Sequence, residues 1–326
     1  MGGPSPEHAI SLKSGQGVTE ALTRRGWAVS SLIVPHELTV DEAIQFVRVA
    51  LQRENPDAVF LALHGVFGED GAIQQLCEEV GIAYTGSDPA ASRLGMDKIA
   101  SRLRFEGAGL TTPTWSVVDP AASGDPARAL GGRTFPVVVK PANQGSSIGV
   151  SLAADGPQLT QAIREAARYD TRILIESFIE GRELTVGVVA DQPLPIVEIQ
   201  SHRGLFDYTA KYTPGETTYM VPAAVPARIA RRIQEAALIA HRAVGCRDLS
   251  RVDLILDRRG RPVILEVNTI PGFTPTSLLP KAAACLGWSY DVLCERLTTM
   301  ALRREKSGTQ TNGPNLGNLF VSPLLR

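Results

Sequence analysis

The sequence has little of what would mark it as secreted, membrane-bound or nucleic-acid-binding. Its 326 residues carry 33 Lys and Arg against 34 Asp and Glu, a net charge of −1, and the basic residues are scattered among acids. Nucleic acid and anionic membranes call for a clustered basic excess, so a small charged metabolite fits this chain better. No apolar run approaches the roughly 20 residues that span a bilayer, and the first residues lack the basic, apolar and small-residue succession of a signal peptide. The expected location is the cytoplasm. The four cysteines, Cys77, Cys246, Cys285 and Cys294, form no C-x-x-C pair and have no histidine at ligand spacing, so they read as reduced thiols, mostly in the core. No internal repeat is visible.

What is present is a rhythm of short apolar runs and helical patterns. A chain of this length suits two or three compact lobes. From residue 11 to about 86, the helical pattern "SLKSGQGVTEALTRRG" is followed by a strand in "WAVSSLIV", a helix in "TVDEAIQFVRVALQRE", a strand in "DAVFLAL" and a helix in "GAIQQLCEEVG". This predicts an α/β lobe over 1–96 with a parallel sheet. "SDPAASRLGMDKIASRL" follows, with Ser87 or Asp88 as helix cap and Pro89 in the first turn. A second lobe over 97–176, of α+β type, runs strand, glycine-rich loop, strand, helix, strand. The third, over 177–305, mixes the strands "ELTVGVVA", "RVDLILD" and "PVILEVN" with helices at about 226–244 and 277–303. Residues 306–326 drop into Gly, Asn, Ser and Thr and are expected to form a disordered tail.

The most informative segment is "SRVDLILDRRGRPVILEVNTIPGFT". Two strands of period 2 flank "DRRGR", a hairpin turn. If Asp257 and Pro262 bracket the loop, Asp253 lies opposite Glu266 and Arg251 opposite Asn268. These four then share one face, while Val252, Leu254, Leu265 and Val267 share the other. Two carboxylates directly opposed repel unless something neutralises them. A divalent cation would do so, and carboxylates with an amide oxygen are hard donors suited to magnesium. The alternative is that Arg251 satisfies one acid while the other faces water.

A second constellation is "VVVKPANQGSSIG". Lys140 ends a strand, and a loop of small residues lets backbone N–H groups approach phosphate oxygens. The order of a Walker A loop is absent, and an ordinary hairpin turn is an equal reading. His64 follows a strand at its carboxyl end, where open parallel sheets bind ligands, although a lone histidine there is more often a local hydrogen-bonding residue than a catalytic one. "DYTAKY" places Tyr208, Lys211 and Tyr212 between Pro- and Gly-rich stretches, as in a mobile lid or a solvated loop.

Taken in order, "GGPSPEHAISLKSG", "ALHGVFGEDG", "YTGSDPAASRLGMDK", "VVKPANQGSSIGV", "IESFIEGRELTV", "DYTAKY", "RVDLILD" and "LEVNTIPGFTPTSLLP" resemble the D-alanine:D-alanine ligases of the ATP-grasp superfamily. The resemblance implies a three-lobed ATP-grasp fold and an enzyme of peptidoglycan precursor synthesis. ATP would phosphorylate the carboxylate of one D-alanine, and the amine of a second would attack the acylphosphate. Implied for ATP are Lys98, Lys140, Ser147, Glu176, Ile179, Glu183 and Lys211, and for magnesium, with manganese as a substitute, Asp253, Glu266 and Asn268. Glu7 would hold the first substrate's ammonium, with Ser146 and Tyr212 as its hydrogen-bonded partners. His64 would lie near the first D-alanine, Ser277 would take the carboxylate of the second, and Arg251 with the Gly272 N–H would face the oxyanion. A tyrosine at 212, where D-lactate-using relatives carry phenylalanine, implies an amine acceptor. Ser177 and Thr209 depart from common family residues. A homodimer is the implied assembly.

Two other readings stand beside this one: an ATP-grasp ligase joining a different carboxylate and amine, and a non-catalytic nucleotide-binding paralogue. The family's first strand precedes the glycines that here follow Met1. The first lobe is therefore expected to lack that strand, and Met1 to be a late or truncated start with further apolar residues upstream.

Overall fold

The computed structural model describes residues 1–120, 130–201 and 217–308. The first lobe begins with α1 (His8–Arg24) and α2 (Val40–Glu54). A capping box starts α2: the Thr39 hydroxyl accepts from the Glu42 N–H, and the Glu42 carboxylate accepts from the Thr39 N–H at 2.8 Å. Its residues Ala43, Val47, Ala50 and Leu51 are buried at helical spacing. β1 (Ala58–Val59), α3 (Ala72–Val80) and β2 (Ala83–Tyr84) form a βαβ unit whose two strands pair in parallel.

The strand expected over 27–34 is reduced to one parallel bridge, Gly2 with Val34. Around it the Met1 ammonium donates to the Leu32 carbonyl at 3.0 Å, Val34 N–H to Met1 at 2.9 Å and Gly3 N–H to Val34 at 2.8 Å. Gly2 has φ +88°, and a Cβ there would stand 2.5 Å from the Val34 carbonyl oxygen, so only glycine fits. Residues 28–32 meet no further strand. Between them and residues 57–63 lies a cavity of about 500 Å³, walled by Val18 and Leu22 of α1 and Val47 and Leu51 of α2.

The helix predicted from Pro89 is two helices. Asp88 caps α4 (Pro89–Met96) through the Ala91 N–H. The chain then breaks at Asp97, whose carboxylate accepts from the N–H groups of Ile99 and Ala100 and starts α5 (Lys98–Gly107). That break sets Lys98 at the head of a helix, facing the next lobe.

The second lobe runs β3 (Trp115–Val118), β4 (Val137–Pro141), the glycine-rich loop, β5 (Ser151–Ala153), α6 (Gly156–Ala166) and β6 (Ile173–Ser177); from β4 on this is the expected order, and β3 is an additional strand. The strands lie β3-β6-β4-β5, all antiparallel, and Val137, Val139, Leu159, Ile173 and Ile175 are fully buried between sheet and α6.

In the third lobe, β7 (Gly181–Val189), β8 (Gln192–Pro193), β9 (Val197–Ser201) and β10 (Thr217–Met220) precede α7 (Ala227–Val244), β11 (Leu249–Asp257) and β12 (Pro262–Asn268). The strand order is β10-β9-β7-β11-β12, with β8 beside β7. α7 buries Ile233, Ala237 and Ala240 against Val186, Val252, Leu254 and Ile264 of that sheet. The helix predicted over 277–303 is broken: α8 (Leu278–Ala284) and α9 (Tyr290–Gly308) flank a turn in which Gly287 has φ +76°. α9 then packs Leu293 and Leu297 on Val18 and Leu22, joining the first lobe to the third. The tail expected from 306 is helical as far as Gly308, and the rest of it lies outside the described residues. Among the described residues no helix is long and apolar enough to cross a membrane.

Cys77 and Cys294 are buried in the core, and Cys246 is half-buried. Burial pushes Cys77, Cys246 and Cys294 up to about 12, while Cys285 is exposed. A thiol-disulfide reagent at pH 8 should therefore label one cysteine rapidly in the native protein and all four in denaturant. Rapid labelling of three or four in the folded state would contradict this packing.

Candidate active site

The β11–β12 hairpin has the predicted register at its polar end, with Arg251 opposite Asn268 and Asp253 opposite Glu266. At the turn the prediction is off by one, because Leu256 rather than Asp257 lies opposite Pro262. Asp257 explains the difference. Its carboxylate accepts from the backbone N–H groups of Arg259 and Arg261, and its own N–H donates to the Arg261 carbonyl, which closes a tighter loop. A bulge between Asp253 and Leu254 absorbs the extra residue. Leu265, predicted on the core face, is that extra residue, and Ile264 is buried opposite Leu254 instead.

On the polar face, Arg251 grips Asp253 with two hydrogen bonds of 2.9 and 2.8 Å, and the Thr185 hydroxyl donates to the same carboxylate at 2.6 Å. Burial alone would lower the Arg251 pKa, but the charge and hydrogen bonds of Asp253 override it and raise it. Glu266, opposite, lies 3.7 Å from the Lys98 ammonium. The two opposed carboxylates are thus each answered by a cation from the protein. Glu266 and Asn268 keep an aspect to the cleft, while both Asp253 oxygens are engaged. Two carboxylates and an amide oxygen fit magnesium, which needs few protein ligands when phosphates supply the rest. Among the described residues no cluster of three or more His, Cys, Asp or Glu could hold a metal.

The cleft over this face encloses about 390 Å³. It brings together Glu7, His64, Lys98, Ser146, Arg251, Glu266, Asn268, Gly272 and Ser277, residues from all parts of the chain. Glu7, at the start of α1, accepts from the Ser146 hydroxyl across the cleft mouth. Ser146 and Ser147 have φ +50° and +57°, so the small-residue loop is a left-handed turn that carries Ser146 to Glu7. His64 is buried, with Nδ1 3.2 Å from the Ile270 carbonyl and Nε2 3.3 Å from the Ser14 hydroxyl. A carbonyl can only accept, so Nδ1 donates to Ile270. Glu69, Tyr219 and Lys281 also line the cleft and were not singled out from the sequence. Glu69 lies 3.5 Å from His64 Nδ1, and the acid following "GVFG" was its only sequence signal.

Lys140, Ser147, Glu176, Ile179, Glu183 and Asp253 lie outside this cavity. Ile179 sits in the link between β6 and β7, and Glu183 on β7 opposite Ile255 of β11. Ser177 is hydrogen-bonded to the Thr114 hydroxyl. Tyr208, Thr209, Lys211 and Tyr212 lie outside the described residues. Lys140 and Glu176 form a buried cluster with Arg102. The Glu176 carboxylate takes Lys140 Nζ at 2.7 Å on one oxygen and Arg102 on the other, and Arg102 also donates to the Ile264 carbonyl at 2.8 Å. Burial opposes the ionised Glu176, but its two cations outweigh that and hold its pKa below the usual carboxylate range. Burial likewise lowers the Lys140 ammonium. Arg102 was missed by sequence reading. Its position one helical turn after Lys98 was the available signal.

Family models described as D-ala D-ala ligase N-terminus and D-ala D-ala ligase C-terminus match residues 36–87 and 105–299. The chain belongs to the D-alanine–D-alanine ligase family. It is 41% identical to the D-alanine–D-alanine ligase of Syntrophotalea carbinolica, over 94% of this chain and 95% of that one. The crystal structure of the Bacillus anthracis ligase complexed with ATP superposes with a TM-score of 0.80 at 30% identity, covering 94% of this chain and 97% of that one. The VanG D-Ala:D-Ser ligase of Enterococcus faecalis gives a TM-score of 0.77 at 28% identity, over 92% and 97%. Family membership and these neighbours agree with the ATP-grasp architecture expected from the sequence.

The buried cluster of this ligase-family chain makes a stability prediction. Arg102→Met should cost about 3 kcal/mol in urea unfolding, because it strips one of two cations from a buried carboxylate. Adding Glu176→Gln to it should cost less than the two single substitutions summed. Additive losses, or a loss below about 1 kcal/mol for Arg102→Met, would contradict the cluster.

Proposed function

We propose that the chain is an ATP- and magnesium-dependent D-alanine:D-alanine ligase of peptidoglycan precursor synthesis, working in the cytoplasm. The observation that carries this reading is the cleft itself. It places the Glu7–Ser146 clasp, His64 and Ser277 in one cavity with Arg251, Glu266 and Asn268.

In this reading ATP lies between the second lobe, 97–176, and the third, 177–305. Glu176, Ile179 and Glu183 flank its adenosine, and Lys98, Lys140 and Ser147 meet its phosphates, with Lys211 reaching the outermost one. Magnesium would be held by Asp253, Glu266 and Asn268, and would supply positive charge that screens the phosphates. Glu7 accepts from the ammonium of the first D-alanine, which fixes its carboxylate near Arg251, and His64 backs that pocket. Tyr212 joins Ser146 and Glu7 in closing the site. The carboxylate takes the terminal phosphoryl group of ATP, and the amine of the second D-alanine then attacks the acylphosphate. Charge gathers on the carbonyl oxygen in that step. The Arg251 guanidinium and the Gly272 N–H are fixed donors for it, and fixed donors stabilise a transition state without reorganising. Phosphate leaves and D-alanyl-D-alanine remains. A homodimer is part of the reading by likeness to the family alone.

The test is phosphate release from ATP, with the product identified by mass. Release should require D-alanine and magnesium, yield D-alanyl-D-alanine, stop with EDTA and resume with excess magnesium. L-alanine or D-lactate alone should not support it. Release at the same rate without any amino acid would refute the ligase reading.

A further inference from the structure

The cations that line the cleft differ in how they are held. Lys98 lies 3.7 Å from Glu266, and Arg251 is bound at both ends by Asp253. Lys281 also lines the cleft, yet among the described residues no carboxylate lies within ion-pairing distance of it. Its ammonium sits 4.6 Å from the ring centroid of Tyr219, a contact that holds the charge without neutralising it.

Position on α8 gives that charge a direction. Ser277 is the N-cap of α8, with φ −69° and ψ 159°, and the Lys281 N–H donates to its carbonyl at 3.0 Å, so Lys281 stands one turn beyond the cap residue. Both reach the cavity. The segment from Gly272 to Lys281 contains no acid, only Thr274, Thr276 and Ser277 hydroxyls beside the lysine. Ser277 Oγ lies 2.8 Å from the Thr274 hydroxyl and accepts from its N–H at 3.0 Å, which fixes the hydroxyl in place. One unneutralised cation a turn beyond a fixed hydroxyl, on a wall without carboxylates, is a receptor for an anionic group about the size of a carboxylate.

We propose that Lys281 is the counter-ion for the carboxylate of the acceptor D-alanine, and so selects acceptor amines that carry a free carboxylate. This rests on the ligase reading and assigns a residue to its second substrate. The amine that attacks must be neutral. The acceptor then enters the step as a net anion, and Ser277 alone offers its carboxylate no charge. Lys281 supplies that charge and takes no part in bond making.

The experiment compares wild type, Lys281→Met and Lys281→Arg in the full chain, with saturating ATP and magnesium. The acceptor is D-alanine or D-alaninamide, and products are separated by mass. Lys281→Met should raise the acceptor KM for D-alanine by about 10- to 100-fold, the worth of one charge-assisted hydrogen bond. The ATP KM and kcat should stay within about twofold, and utilisation of D-alaninamide should not fall. The preference of D-alanine over its amide should therefore shrink by that same factor, and Lys281→Arg should restore most of it. Equal losses on both acceptors, or no change on either, would overturn the assignment while leaving the ligase intact. A wild-type chain that forms no dipeptide would overturn the ligase reading itself.

Discussion

The register of the β11–β12 ladder is the constraint on which the site depends. Side chains alternate faces along a strand, so a slip of one residue would send Arg251, Asp253, Glu266 and Asn268 into the core and expose Val252 and Val267. Two features hold the register from opposite ends. The Asp257 carboxylate closes the turn, and the bulge after Asp253 returns the polar end to alignment. β7 pairs with β11 along its whole length, from Gly181 opposite Asp257 to Val189 opposite Leu249, so the polar face is fixed to the sheet that α7 covers.

Around that face the protein keeps its charges in pairs. Asp253 has Arg251, Glu266 has Lys98, and Glu176 has both Arg102 and Lys140. Burying these groups singly would be costly, and pairing them allows charged side chains to wait in a cleft without neutralising by proton exchange. Lys281 is held instead on the Tyr219 ring, with no acid within ion-pairing distance among the described residues.

Much of the site was legible because its chemistry is local. Opposed acids on a hairpin, a small-residue loop and a strand-end histidine each carry a pattern in the sequence, and Glu266, Ser146 and His64 from them reach one cleft. What was not legible depends on contacts far apart in the chain. Arg102 is one exposed-looking residue of "KIASRLRFEG" until Glu176 and Ile264 close over it. Lys281 gains its meaning only beside Tyr219, which comes from another strand. The same holds for the fold. The second lobe's strand and helix order from β4 on was readable, whereas "WAVSSLIV" has strand composition but, among the described residues, ladder pairing only at the Gly2–Val34 bridge, and pairing rather than composition makes a strand. The breaks at Asp97 and 285–289 hid within helical periodicity. A side chain that caps the next helix looks, in sequence, like any polar residue on the last.

The central claim is that the cleft over the β11–β12 face holds the metal and both amino-acid ends on the residues named. A crystal structure with magnesium, ADP and D-alanyl-D-alanine tests it most directly. The account predicts magnesium on Glu266 and Asn268 and the dipeptide's carboxylate within hydrogen-bond distance of Ser277 Oγ and Lys281 Nζ. Metal bound away from the β11–β12 face, or a dipeptide whose carboxylate points to Glu7, would contradict it.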